Sequence, residues 1–125
     1  MSNAVCWFEI YVADMARAQA FYETVLDVEL APIGNPETAD LAMMAFPFDE
    51  NTGGSSGAIV SYEGCKTGGN STIVYFACDD CSVEESRVEA AGGKLERSKM
   101  SIGEYGFVSL AFDPDGNQIG LYSQK

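Results

Sequence analysis

Glu9 is the residue with the most chemistry to offer in this chain. It lies two positions from Trp7 and two from Tyr11. In an extended segment alternate side chains share a face, so a carboxylate would stand between two aromatic rings. Such a group is expected to be partly desolvated, which disfavours its charged form unless a tyrosine hydroxyl or backbone N–H donates to it. It would then be suited to pairing with a cation or to moving a proton. Other reactive residues carry weaker signals. Cys78-Asp79-Asp80-Cys81 has the spacing of a redox or zinc motif, but no second pair completes a zinc site, and buried or incidental thiols are expected. Ser109 has no histidine to activate it, because the chain contains none. Gly53-Gly54-Ser55-Ser56-Gly57 is not followed by a helix, so it lacks the terminus that phosphate loops use and reads as a flexible connection.

The elements that must position these residues follow from periodicity. Val5 to Val12 is rich in β-formers and predicts a strand. After Asp14, the apolar residues Met15, Ala18, Phe21, Tyr22, Val25 and Leu26 recur at steps of three and four, which predicts a helix. Strands are predicted over 28–33, 41–46 and 57–62, punctuated by Pro32, Pro36 and Pro47. The pattern then restarts. A strand is predicted over 71–78. A helix follows with a capping box at Ser82 and Glu85 and ends at Gly92-Gly93. Strands over 94–100, 106–112 and 117–122 complete the chain, the last two joined by an Asp113-Pro114-Asp115-Gly116 turn. Asp14 and Asp80 precede the two helices and lie 80 − 14 = 66 positions apart. The order strand, helix, three strands thus occurs twice, as in a duplicated half-domain.

Length and charge narrow the function. The 125 residues suit one domain, 46% of them are apolar, and no run of about 18 apolar residues could cross a membrane. With 19 acidic and 7 basic residues the formal charge is −12. That balance argues against nucleic acid and anionic membranes, which are bound through Lys and Arg, and favours cations. No export signal is visible, so a cytoplasmic location with reduced thiols is expected.

Three segments resemble a known family. The run from Phe8 to Ala18, continuing into Ala20-Phe21-Tyr22, is similar to the first strand and helix of vicinal-oxygen-chelate proteins, the glyoxalase/bleomycin-resistance/extradiol dioxygenase superfamily. Val88 to Lys94 and Phe112-Asp113-Pro114-Asp115-Gly116-Asn117-Gln118-Ile119 resemble their second half. The resemblance implies an α+β domain over 1–125 built of two paired βαβββ modules, about 4–63 and 70–123. These would form a curved mixed sheet around a cavity, with helices on the outer faces. It also implies a homodimer, since many members dimerise.

Metal-dependent members of that superfamily hold one divalent ion with His and Glu side chains. By resemblance those four slots fall on Trp7, Val60, Ile73 and Gly120, none of which offers a ligating side chain. No metal and no cofactor are therefore expected. Strand alternation turns Cys6, Phe8, Ile10 and Val12 toward a helix. It turns Trp7, Glu9, Tyr11, Ala58, Val60, Tyr62, Ile73, Tyr75, Ala77, Phe107, Ser109, Ala111, Gln118, Gly120 and Tyr122 toward the cavity. Glu104 and Tyr105 would form its rim or a lid. The expected ligand site is Trp7, Glu9, Tyr11, Val60, Tyr62, Ile73, Tyr75, Phe107, Gly120 and Tyr122. The leading expectation is a glyoxalase/bleomycin-resistance-like protein binding a small cationic or aromatic ligand without metal. The alternative is an enzyme related to lactoylglutathione lyase, with Glu9 as metal-free general acid or base.

Overall fold

The computed structural model describes residues 4–33, 41–49, 51 and 53–125; Pro36 lies outside them. The first half comprises β1 (Trp7–Tyr11), α1 (Met15–Leu26), β2 (Ala31–Ile33), β3 (Ala42–Ala45) and β4 (Ser56–Ser61). The second comprises β5 (Val74–Ala77), α2 (Cys81–Glu85), β6 (Lys94–Ser101), a single 3₁₀ turn at Gly103–Tyr105, β7 (Phe107–Phe112) and β8 (Gln118–Ser123). Each half makes one four-stranded mixed sheet, in the orders β1-β4-β3-β2 and β5-β8-β7-β6. In each, the first strand pairs parallel with the last and the remaining pairs are antiparallel. This is the α+β arrangement of two βαβββ units. Among the described residues no helix is long and apolar enough to cross a membrane.

The 66-residue offset has a physical basis at the helix starts. Asp14 and Asp80 are both N-caps in extended conformation, and their carboxylates accept from Arg17 N and Ser82 N. The expected capping box at Ser82 is corrected by this finding. Ser82 is inside α2 and donates its hydroxyl to Asp80 Oδ1 at 2.7 Å. Glu85 reaches not back to the helix start but across to β6, accepting from Lys99 N at 2.7 Å. Ser56 and Gly57, expected in a loose connection or at its edge, are buried within β4. A Cβ on Gly57 would sit 2.3 Å from Phe8 O, so this close strand approach requires glycine. Pro32 is accommodated because β2 is an edge strand.

The helix-facing sides of both sheets merge in one core. Val12, Phe21, Tyr22, Val25, Ile59, Cys81, Val88, Ile119 and Leu121 are buried members of the same cluster. Phe8, Tyr22, Phe46 and Phe76 join the halves through ring contacts at centroid distances of 5.3 to 6.0 Å. The Asp113–Asn117 turn adds a polar clasp. Asp113 is 3% exposed and accepts from Tyr22 OH, Asp115 N, Asn117 N and Asn117 Nδ2. Asp115 Oδ1 accepts from Ala13 N at 3.0 Å and from Arg17 Nη2 at 2.7 Å, and Asn117 Nδ2 also donates to Tyr11 O. The turn after β7 thereby fixes the end of β1, the strand that carries Glu9.

Candidate functional site

β1 presents Trp7, Glu9 and Tyr11 on the face away from the helices, because Phe8 and Ile10 pack into the core. Register with β4 places Ala58 beside Glu9 and Val60 beside Tyr11 on that same face. Glu9 is exposed, not desolvated as expected. Its carboxylate is held instead by two donors: Tyr11 OH at 2.7 Å and Trp7 Nε1 at 3.3 Å. The bond to Glu9 is the main cause that raises the Tyr11 hydroxyl above its usual value, with burial and the Glu9 charge adding to it. Tyr62 meets Tyr11 edge to face at 6.0 Å. Val60 lies beneath, 1% exposed. The result is an anionic centre fixed between aromatic rings and open to solvent.

On the second sheet Tyr75, Gly120 and Tyr122 occupy the corresponding face, and Ile73 lies just before β5. Tyr75 and Gly120 are register partners, and the tyrosine ring lies over the glycine: a Cβ on Gly120 would meet ring carbons at 2.3 and 2.4 Å. Tyr75, Ala77, Met100, Ile102, Val108 and Tyr122 frame an open apolar hollow of about 430 Å³. Tyr122 OH donates to Tyr105 O at 2.5 Å, tying the 3₁₀ turn to β8.

Phe107 does not belong to that face. Register pairs Phe107 with Ser123, Ser109 with Leu121 and Ala111 with Ile119, all on the helix side. Phe107 packs on the core with Lys99 Nζ 4.7 Å above its ring, Ala111 is in the core, and the buried Ser109 donates to Arg97 O. Val108, Leu110 and Phe112 take the open face instead.

The expected site residues therefore gather in two groups. The hollow at Tyr75 and Tyr122 takes no residue from the first sheet. A cleft of about 270 Å³ at the seam between β1 and β5 contains Glu9 and Tyr11 with Gln118, Lys66 and Asn70, but neither Tyr75 nor Tyr122. Lys66 and Asn70 were not anticipated. They sit in an irregular link with no periodicity to read.

The Cys78-x-x-Cys81 spacing yields no paired site: all four cysteines are free thiols, and Cys81 is buried. Burial, with the Glu84 charge beside it, pushes the Cys78 thiol up to about 12, the reverse of what a thiolate nucleophile needs.

A family model described as the Glyoxalase/Bleomycin resistance protein/Dioxygenase superfamily matches residues 4–121. The chain belongs to that superfamily. Solved superfamily-like structures agree on the fold. Glyoxalase I from Zea mays is 20% identical with a TM-score of 0.74, covering 95% of this chain and 45% of that one. This chain thus spans about half the length of the maize protein. An antibiotic-binding protein from Streptomyces sp. CB03234 is 20% identical with a TM-score of 0.71, over 100% and 99% of the two chains. Glyoxalase I from Leishmania major is 17% identical with a TM-score of 0.70, over 98% and 88%. No curated protein matches the sequence. Among the described residues of this superfamily member, no three His, Cys, Asp or Glu side chains converge as a metal site would require.

Proposed function

We propose that this chain binds a small cationic aromatic ligand without a metal ion, on the face formed by Trp7, Glu9, Tyr11, Val60 and Tyr62. The observation that carries the reading is the fixed Glu9 carboxylate, exposed between Trp7 and Tyr11. Aromatic faces around an anion suit a cation, by charge and by cation–π attraction. The formal charge of −12 draws cations toward it. A similarly folded protein of nearly equal length is an antibiotic-binding one, which supports the ligand class. The residues at the superfamily's metal slots do not fit a divalent ion. Trp7 offers only an N–H donor, Val60 and Ile73 are hydrocarbon, and Gly120 is capped by the Tyr75 ring. Calorimetric titration of native and Glu9→Gln protein with cationic aromatic compounds tests the proposal.

A second reading is favoured by the 2.7 Å Tyr11–Glu9 bond: a hydroxyl and a carboxylate sharing a proton are equipped for metal-free acid–base chemistry on a bound substrate. Two further features of the proposal are structural. Tyr75, 50% exposed, and Ile102, 38% exposed, border the hollow, and a homodimer would cover them. The four free thiols support a reducing, cytoplasmic setting.

A further inference from the structure

The cleft between β1 and β5 has two charged residues in its lining, and they are of opposite sign: Glu9 on β1 and Lys66 in the link between β4 and β5. Among the described residues the ion pairs are Arg17–Asp115 and Lys99–Asp80, so Glu9 and Lys66 share a cleft without bonding to each other. The Glu9 carboxylate is already oriented by Trp7 and Tyr11. The Lys66 side chain is exposed, and its ammonium has no partner among the described residues.

A solvated lysine is ordinary on a protein surface. The backbone that carries Lys66 is not, because it is fastened on both sides. Before it, Cys65 N donates to Tyr62 O at 3.1 Å, and the Cys65 thiol donates to Val12 O at 3.4 Å, just past β1. After it, Gly68 N donates to Asn117 Oδ1 at 2.8 Å. Asn70 exchanges two hydrogen bonds with the Gln118 backbone, at 3.1 and 3.3 Å. Gly68 has a φ of +74°, and a Cβ there would lie 3.0 Å from Asp115 O, so the link reaches the Asp113–Asn117 turn along a path that suits glycine. A fixed segment thus delivers one of the chain's 7 basic residues to the cleft that holds Glu9.

We propose that the ligand of the Glu9 site is a zwitterion, an aromatic amino acid or a close analogue. Its ammonium group meets the Glu9 carboxylate, and Lys66 Nζ donates to its carboxylate. The cleft volume of about 270 Å³ lies at the small end of ligand pockets, which suits a molecule of that size. This inference rests on the reading of Glu9 as a cation site and adds an anion-binding residue to it. The formal charge of −12 repels a carboxylate at long range, so a preference for one must come from a local cation.

The test is calorimetric titration with phenylalanine and phenylalaninamide at about pH 6, where both α-amines are protonated. The two compounds share shape and ammonium group and differ in the carboxylate. Native protein is expected to bind phenylalanine about fivefold more tightly than the amide, the upper worth of an exposed ion pair. Lys66→Met should abolish that preference while leaving amide binding in place, and Lys66→Glu should reverse it. Glu9→Gln should weaken both compounds. Equal affinity of native protein for the two, or a preference that survives in Lys66→Met, would overturn the zwitterion proposal and leave Glu9 as a cation site, provided that Glu9→Gln weakens both. Unchanged binding of both compounds in Glu9→Gln would overturn the cation site and this proposal with it, as would failure of native protein to bind either at millimolar concentration.

Discussion

The Tyr22 hydroxyl donates to Asp113 at 2.8 Å, joining the buried face of α1 to the turn between β7 and β8. Burial first, and then the Asp113 charge, raise the hydroxyl well above its ordinary value, so it stays protonated as a donor. Tyr22→Phe keeps the ring and removes one of four hydrogen bonds to a buried carboxylate. The expected loss is about 1.5–3 kcal/mol, the usual worth of a hydrogen bond to a charged group, read by urea denaturation. Asp113→Ala strands four donors and should cost more. Equal stability of native and Tyr22→Phe protein would remove the clasp from this account.

Acid should act on the second half through Asp80. Hydrogen bonds from Lys99 and Ser82 lower this carboxyl from its usual 3.8 to about 2. A carboxyl lowered in the folded state contributes stability that is fully present above its unfolded value and is lost as pH falls through the folded one. Stability should therefore decline between pH 3.8 and about 2, and less steeply in Asp80→Asn or Lys99→Met. Superimposable acid limbs in all three proteins would show that the pair is not coupled to folding.

Much of the fold was legible because both halves repeat the same local physics. Asp14 and Asp80 cap helices at the same offset, and the apolar stripe ending at Val25 and Leu26 matches the buried side of α1. The face of β7 was not legible. Phe107, Ser109 and Ala111 alternate with Val108, Leu110 and Phe112, so neither set is distinctly polar and alternation carries no contrast. The register with β8 decides it. The start of α2 was ambiguous because Asp80 and Ser82 are both good caps, and the Lys99 ammonium, distant in sequence, favours Asp80. The Trp7–Glu9–Tyr11 grouping was visible from a two-residue alternation. Its openness to solvent was not, since exposure depends on which elements cover the face.

The hollow around Tyr75 and Tyr122 bears on assembly. If a second copy covers it, light scattering at micromolar concentration should give about twice the chain mass of 13.4 kDa. Met100→Glu, which places a charge within this apolar patch, should shift the protein toward monomer without lowering its melting temperature greatly. A native mass of one chain would contradict the dimer.

The central claim is that Glu9 binds a cation without a metal's help. It is tested most directly by titrating native and Glu9→Gln protein, both treated with chelator, against the tightest cationic aromatic compound found by thermal-shift screening. The account predicts that native protein binds equally well before and after chelation, and that nickel, zinc, iron and manganese do not raise its melting temperature. It also predicts that Glu9→Gln remains folded but binds at least tenfold more weakly. Binding abolished by chelation, a one-to-one metal content, or unchanged affinity in Glu9→Gln would contradict it.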